Sequence, residues 1–120
     1  MKLEVSLDAG PVAPGGQVSG SVRVLDGGEV RELTAQLVYA EETADYTGAM
    51  LRVRSAPLAT GQLTTGQAVP FSLTLPADAL PNQTGASGQV VWKAIAHADI
   101  AHGIDANAGA PLELTLPPVS

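Results

Sequence analysis

Four side chains capable of metal or acid–base chemistry, His97, Asp99, His102 and Asp105, lie within nine residues. In an extended chain, residues two apart project to the same side, so His97 and Asp99 share a face. His102, in the connection that follows, can fold back toward them. Imidazole nitrogen and carboxylate oxygen are suitable donors for zinc or a similar metal. Against this stands the plainer reading that an outward strand face and a polar loop carry solvated residues. The plainer reading is favoured, so no metal or cofactor is expected, and the four residues remain the candidate ligands of an alternative small-ligand or metal-binding module.

Other chemistries have less support. A Ser or Thr nucleophile needs a His base and an orienting carboxylate. The chain has many hydroxyls and two histidines, so composition singles out no such set. There is no Gly-x-Ser-x-Gly elbow, and the glycine pairs are not followed by helix signals that would cradle a phosphate. Glu41 and Glu42 are adjacent, with no apolar surroundings to separate their pKa values. The chain is therefore expected not to be an enzyme.

Recognition chemistry is better represented. Arg52 and Arg54 fall on one face of an alternating segment and could hold an acidic peptide or carboxylate through bidentate bonds, although solubilising arginines on a strand look the same. Val38, Val91 and Ile95 are outward and apolar if the alternation holds, which suits either a contact patch or a face covered by a loop. These five residues are the partner-binding candidates.

The elements that must position them read as strands. From Gly88 to Ile100, even positions carry Val90, Trp92, Ala94, Ala96, Ala98 and Ile100, while odd positions carry Val91, Lys93, Ile95, His97 and Asp99. A period of two puts these sets on opposite faces of a sheet. The indole of Trp92 needs a second layer to bury it. Similar alternation runs through Leu3 to Leu7, Val18 to Val24, Leu33 to Tyr39, Met50 to Arg54, Val69 to Leu75, and Leu112 to Leu116. Asp26-Gly27-Gly28-Glu29 has the residue types of a tight hairpin that would pair its flanking strands. Glu41 to Asp45 reads as an exposed connection, Leu58 to Gln67 as a loop or weak edge strand, and Ala101 to Ala110 as a connection. Pro76 to Pro81 is a structured turn.

Seven or more strands separated by Pro and Gly turns, with no helical period sustained for three turns, predict one antiparallel β-sandwich domain over 1–120. A closed barrel is the alternative. Trp92, Phe71, Tyr39 and Tyr46 are its few large core pieces. The 12 acidic and 6 basic residues give a net charge of -6, which opposes contact with nucleic acid or an anionic membrane. No apolar run is long enough for membrane insertion, and no secretory pattern opens the chain, so a cytoplasmic setting is expected. With no cysteine there is neither a disulfide nor a thiolate site. Asn82-Gln83-Thr84 matches a glycosylation pattern without secretory context and is taken as chance.

Three stretches carry a family resemblance: Pro14 to Val22, Val69 to Pro76 with Leu80-Pro81, and Val91-Trp92 with Ala98-Asp99-Ile100. In this order and spacing the chain resembles the N-terminal arrestin-type domain, closest to the bacterial sporulation-control type of arrestin-like protein. The resemblance implies an immunoglobulin-like sandwich acting as a non-catalytic adaptor or regulator that binds a protein partner, without a cofactor. Arrestin-type proteins usually place two sandwiches in tandem. A single one here implies that the second comes from another chain, for example in a homodimer. The charged cluster between arrestin domains maps onto no residues of this sequence, so recognition of phosphorylated partners is not implied.

Overall fold

Alternating residues become strands, and the strands are sorted into two layers by where their apolar sides can meet. The structure, a computed structural model, describes residues 1–8, 11–43, 47–79, 82–85, 88–101, 103–112 and 114. It contains β1 (Lys2–Leu7), β2 (Gln17–Asp26), β3 (Gly28–Thr43), β4 (Thr47–Arg54), β5 (Ala59–Leu63), β6 (Ala68–Thr74), β7 (Gln83–Gly85), β8 (Gly88–Asp99) and β9 (Ala106–Pro111). One sheet is β1-β2-β6. The other is built on β3 and β8, with β4 and β5 along the far edge of β3 and β7 and β9 along the far edge of β8. All strand pairs are antiparallel. Two separate sheets make this a sandwich and not a closed barrel.

The core lies between the layers. Val18, Val22 and Val24 of β2 and Phe71 and Leu73 of β6 face Leu33, Leu37 and Tyr39 of β3 and Trp92, Ala94, Ala96 and Ala98 of β8. Trp92 is fully buried and stacks at a tilt on Tyr39, its register partner, with ring centroids 5.0 Å apart. Phe71 and Tyr39 are buried as expected, and Tyr46 lies outside the described residues. Among the described residues no helix is long and apolar enough to cross a membrane.

Three expectations are corrected and one is resolved. Asp26 to Glu29 does not close a hairpin, because β2 and β3 belong to different sheets and β2 pairs with β1 and β6. Gly27 instead carries the chain across the sandwich end. A Cβ there would stand 2.5 Å from the carbonyl oxygen of Leu63, so only glycine fits the crossing. The stretch after Pro57, expected as a loop or weak edge strand, is the edge strand: β5 pairs with β3 alone, and its Leu63 is buried. It continues the line of β4 along β3, bridged at the break by Ser55, which takes the Ala35 amide on its Oγ at 2.9 Å and donates its own amide to Ala35 O at 2.8 Å.

The acidic stretch begins inside a strand: β3 runs on through Glu41, Glu42 and Thr43, paired on both edges at Glu41 and Glu42. Finally, Ala106 to Pro111, expected as part of a connection, forms β9, while most of the expected strand from Leu112 to Leu116 lies outside the described residues. Leu112 follows it, buried, and Leu114 makes an isolated bridge to Val12. Ala106 to Pro111 has weak strand propensity, but pairing with the open edge of β8 decides its conformation.

One polar side chain joins the two short strands on that edge. Asn82 accepts the Trp92 amide on Oδ1 at 2.8 Å and donates from Nδ2 to Leu112 O at 2.8 Å, while the Leu112 amide returns to Trp92 O at 3.0 Å. The residue that opens a chance glycosylation pattern thus supplies sheet hydrogen bonds between the end of β9 and the start of β7.

Candidate interaction face

The outward side of the larger sheet holds nearly all the sequence candidates. Its rows follow from register. Thr34 pairs with His97 and His97 with Asn107; Gln36 pairs with Ile95 and Arg54; Val38 pairs with Lys93 and Arg52; Ala40 pairs with Val91.

The four-residue cluster separates when folded. His97 Nδ1 faces Asn107 Oδ1 at 2.6 Å, and its Nε2 faces Asp105 Oδ2 at 3.3 Å. Asp105 Oδ1 accepts the Ile100 amide at 3.0 Å. Asp99 turns to Arg31, whose Nη2 and Nε reach its Oδ1 at 3.0 and 3.2 Å. His102 lies outside the described residues. The arrangement ties the β8–β9 connection to β8. It does not converge on a point, because Asn107 and Asp105 stand on opposite ring nitrogens and one metal ion can take only one of them. Among the described residues no group of three His, Asp or Glu side chains is placed to hold a metal.

The recognition candidates also divide. Val38 faces outward but is only 3% exposed, since β3 is flanked on both edges along its length, so it offers almost no surface to a partner. Thr34, Gln36 and Ala40 on the same side of β3 are buried as well. Val91 and Ile95 on β8 are half-buried and reachable. Arg54 is exposed, with no ion-pair partner among the described residues. Arg52 occupies the register position beside Val38. Sequence reading missed Gly109 and its neighbours on β9, because that stretch reads as a loop. Together with Lys93 and Ile95 they line a groove of ≈ 350 Å³ on this face.

Lys93 is held at the groove by Glu42. Its ammonium closes on Glu42 Oε1, an oxygen shut off from solvent and lacking an aligned hydrogen bond, while Gln89 Nε2 donates to Oε2 at 3.2 Å. The Lys93 ammonium closing on it, and then the hydrogen bond from Gln89, hold the Glu42 carboxyl below its ordinary 4.5, against the opposing effect of burial. A lowered folded-state value means that the unfolded chain binds the proton more readily. The contribution is therefore complete above about 4.5 and disappears as pH falls through the lower folded value. Glu42→Gln is expected to cost about 0.5–1 kcal/mol at neutral pH, as for a partly exposed pair. It should also flatten the acid limb of unfolding free energy measured in urea between pH 7 and pH 3. An unchanged acid limb would remove Glu42 as its source.

The fold and face define an antiparallel, arrestin-like β-sandwich, as the sequence resemblance implies. A solved structure of the same fold is the sporulation control protein Spo0M from Bacillus subtilis. It superimposes with a TM-score of 0.67 at 21% identity, over 97% of this chain and 49% of that one. The chain thus spans about half the length of that structure. No protein-family model matches the sequence, and no curated protein matches it.

Proposed function

We propose that this sandwich is a non-catalytic interaction domain, of adaptor or regulatory type, that holds a partner protein on the outer face of its larger sheet. The observation that carries this reading is that reachable apolar side chains, Val91 and Ile95, share one sheet face with Arg54, which lies in the cross-strand row of Ile95 and is exposed, with no ion-pair partner among the described residues. An apolar centre with a polar or charged rim is the anatomy of protein interfaces. The residues with catalytic potential are meanwhile engaged by their own neighbours, His97 by Asp105 and Asn107, and Asp99 by Arg31. The likeness in fold to a protein titled as a sporulation control protein adds support for a regulatory role.

The test is affinity capture from the source cell with the wild-type chain and with Ile95→Asp, each verified as folded by its melting transition. A partner retained by the wild type and lost by Ile95→Asp is the expected result. Partners retained equally by both would place the contact elsewhere on the molecule.

A further inference from the structure

We propose that the groove beside β9 and the neighbouring arginine bind an extended segment of the partner protein that carries an apolar side chain and a carboxylate a few positions away. The inference rests on the outer-face reading above and names the chemistry of the occupant.

The apolar seat is set by Gly109. It lies directly across from Ile95 in the β8–β9 register and contributes no side chain, which leaves the groove open between Ile95 and the backbone of Ala108 to Pro111. A pocket of this size accommodates one or two aliphatic side chains. The acidic seat lies in the same row. Ile95 pairs with Gln36 and Gln36 with Arg54, so at about 4.8 Å between strands the two outer Cα atoms are about 10 Å apart. An extended peptide advances about 3.3 Å per residue, and the arginine side chain adds reach. The anchor and the carboxylate are therefore two or four residues apart in the segment, since only an even spacing points both side chains at the one face.

Charge selects the sign of the partner. The chain carries -6 overall, yet the acidic residues of this face stand at its ends, Glu32 and Asp99 at one and Glu42 at the other. Asp99 and Glu42 are already paired with Arg31 and Lys93. The middle of the face presents exposed Arg54, with Arg52 two positions earlier on the same strand. An acidic segment is attracted at this position and opposed by the net negative charge of the chain as a whole, which favours one register on this face.

Fluorescence anisotropy with the labelled, end-capped octapeptide Ser-Leu-Ser-Glu-Ser-Leu-Ser-Glu (Glu-Leu), whose Leu and Glu side chains share one side of an extended chain, tests this at low salt, against the same peptide with Lys in place of Glu (Lys-Leu) or Gly in place of Leu (Glu-Gly). Saturable binding of Glu-Leu alone is expected, weakened at least tenfold by Arg54→Glu and at least tenfold by Gly109→Leu. The second variant fills the groove without straining the strand, because a Cβ at Gly109 would meet Ala94 O and Ile95 Cγ1 at an ordinary 3.5 Å. No binding, equal binding of Lys-Leu, or indifference to Gly109→Leu would overturn the proposal. If Ile95→Asp still abolishes partner capture while Glu-Leu does not bind, the face stands and the acidic chemistry falls. If capture ignores Ile95→Asp, the face reading itself falls.

Discussion

Trp92→Ala is expected to lower the unfolding free energy by about 3–5 kcal/mol, measured by urea denaturation with an unchanged m-value. The indole is fully buried in the middle of the larger sheet, with Tyr39 stacked on it at 5.0 Å. Removing about 200 Å² of apolar surface from the core forfeits up to about 5 kcal/mol at 25 cal/mol per Å². A cavity adds to this unless the neighbours collapse, and here they are strand residues fixed by register on both sides of β8. The substitution isolates the side chain, because the backbone of Trp92 keeps its bonds to Asn82 and Leu112. A loss below about 1 kcal/mol would mean that the indole does not fill the core, and the inward face of β8 would have to be reassigned.

The side chain that anchors this prediction is also the clearest signal in the sequence. Wherever apolar residues alternate with polar ones over five or more positions, as in β2, β6 and β8, strand and inward face follow directly, because only one set can be buried. The pattern is uninformative where tertiary contact decides. Asp26-Gly27-Gly28-Glu29 has the composition of a hairpin, but the same glycines allow a crossing between sheets, and the packing of Gly27 against Leu63 O chooses the latter. β9 consists of Ala, Asn, Gly and Pro, and is a strand only because β8 offers it an unpaired edge.

The site is legible in the same measure. Alternation places Ile95, His97 and Arg54 correctly on the outer face, and spacing shows only that His97, Asp99, His102 and Asp105 fall within nine residues. Direction is beyond spacing: the imidazole lies between Asp105 and Asn107 while Asp99 goes to Arg31, so proximity in sequence does not become convergence in space. The burial of Val38 is equally hidden, since it follows from strands flanking both edges of β3 and not from any neighbour in sequence.

Gly20→Ala is expected to be the second most damaging single change, with a loss of about 2–4 kcal/mol. Propensity alone predicts the opposite sign, because replacing glycine within a strand by alanine gains about 0.5–1 kcal/mol when the backbone is compatible. The contact geometry decides. A Cβ at Gly20 would stand 2.3 Å from Ser6 O and 3.2 Å from both Leu7 Cα and Phe71 Cζ. Two of those three atoms are backbone of β1, which is paired to β2 through Ser6–Ser21 and Leu7–Gly20 and cannot rotate away. Relief requires the end of β1 to leave β2, with loss of ladder bonds and of the neighbouring Asp8 N to Ser19 O bond of 3.0 Å. Phe71, the register partner of Gly20 on the other side, can move only its ring. Adding Phe71→Leu to Gly20→Ala should therefore recover little, and the double-mutant cycle should show a coupling well below the single loss. Amide exchange along β1 should accelerate in Gly20→Ala more than along β8. Neutral or increased stability would show that β1 accommodates a methyl group, and that propensity governs this position after all.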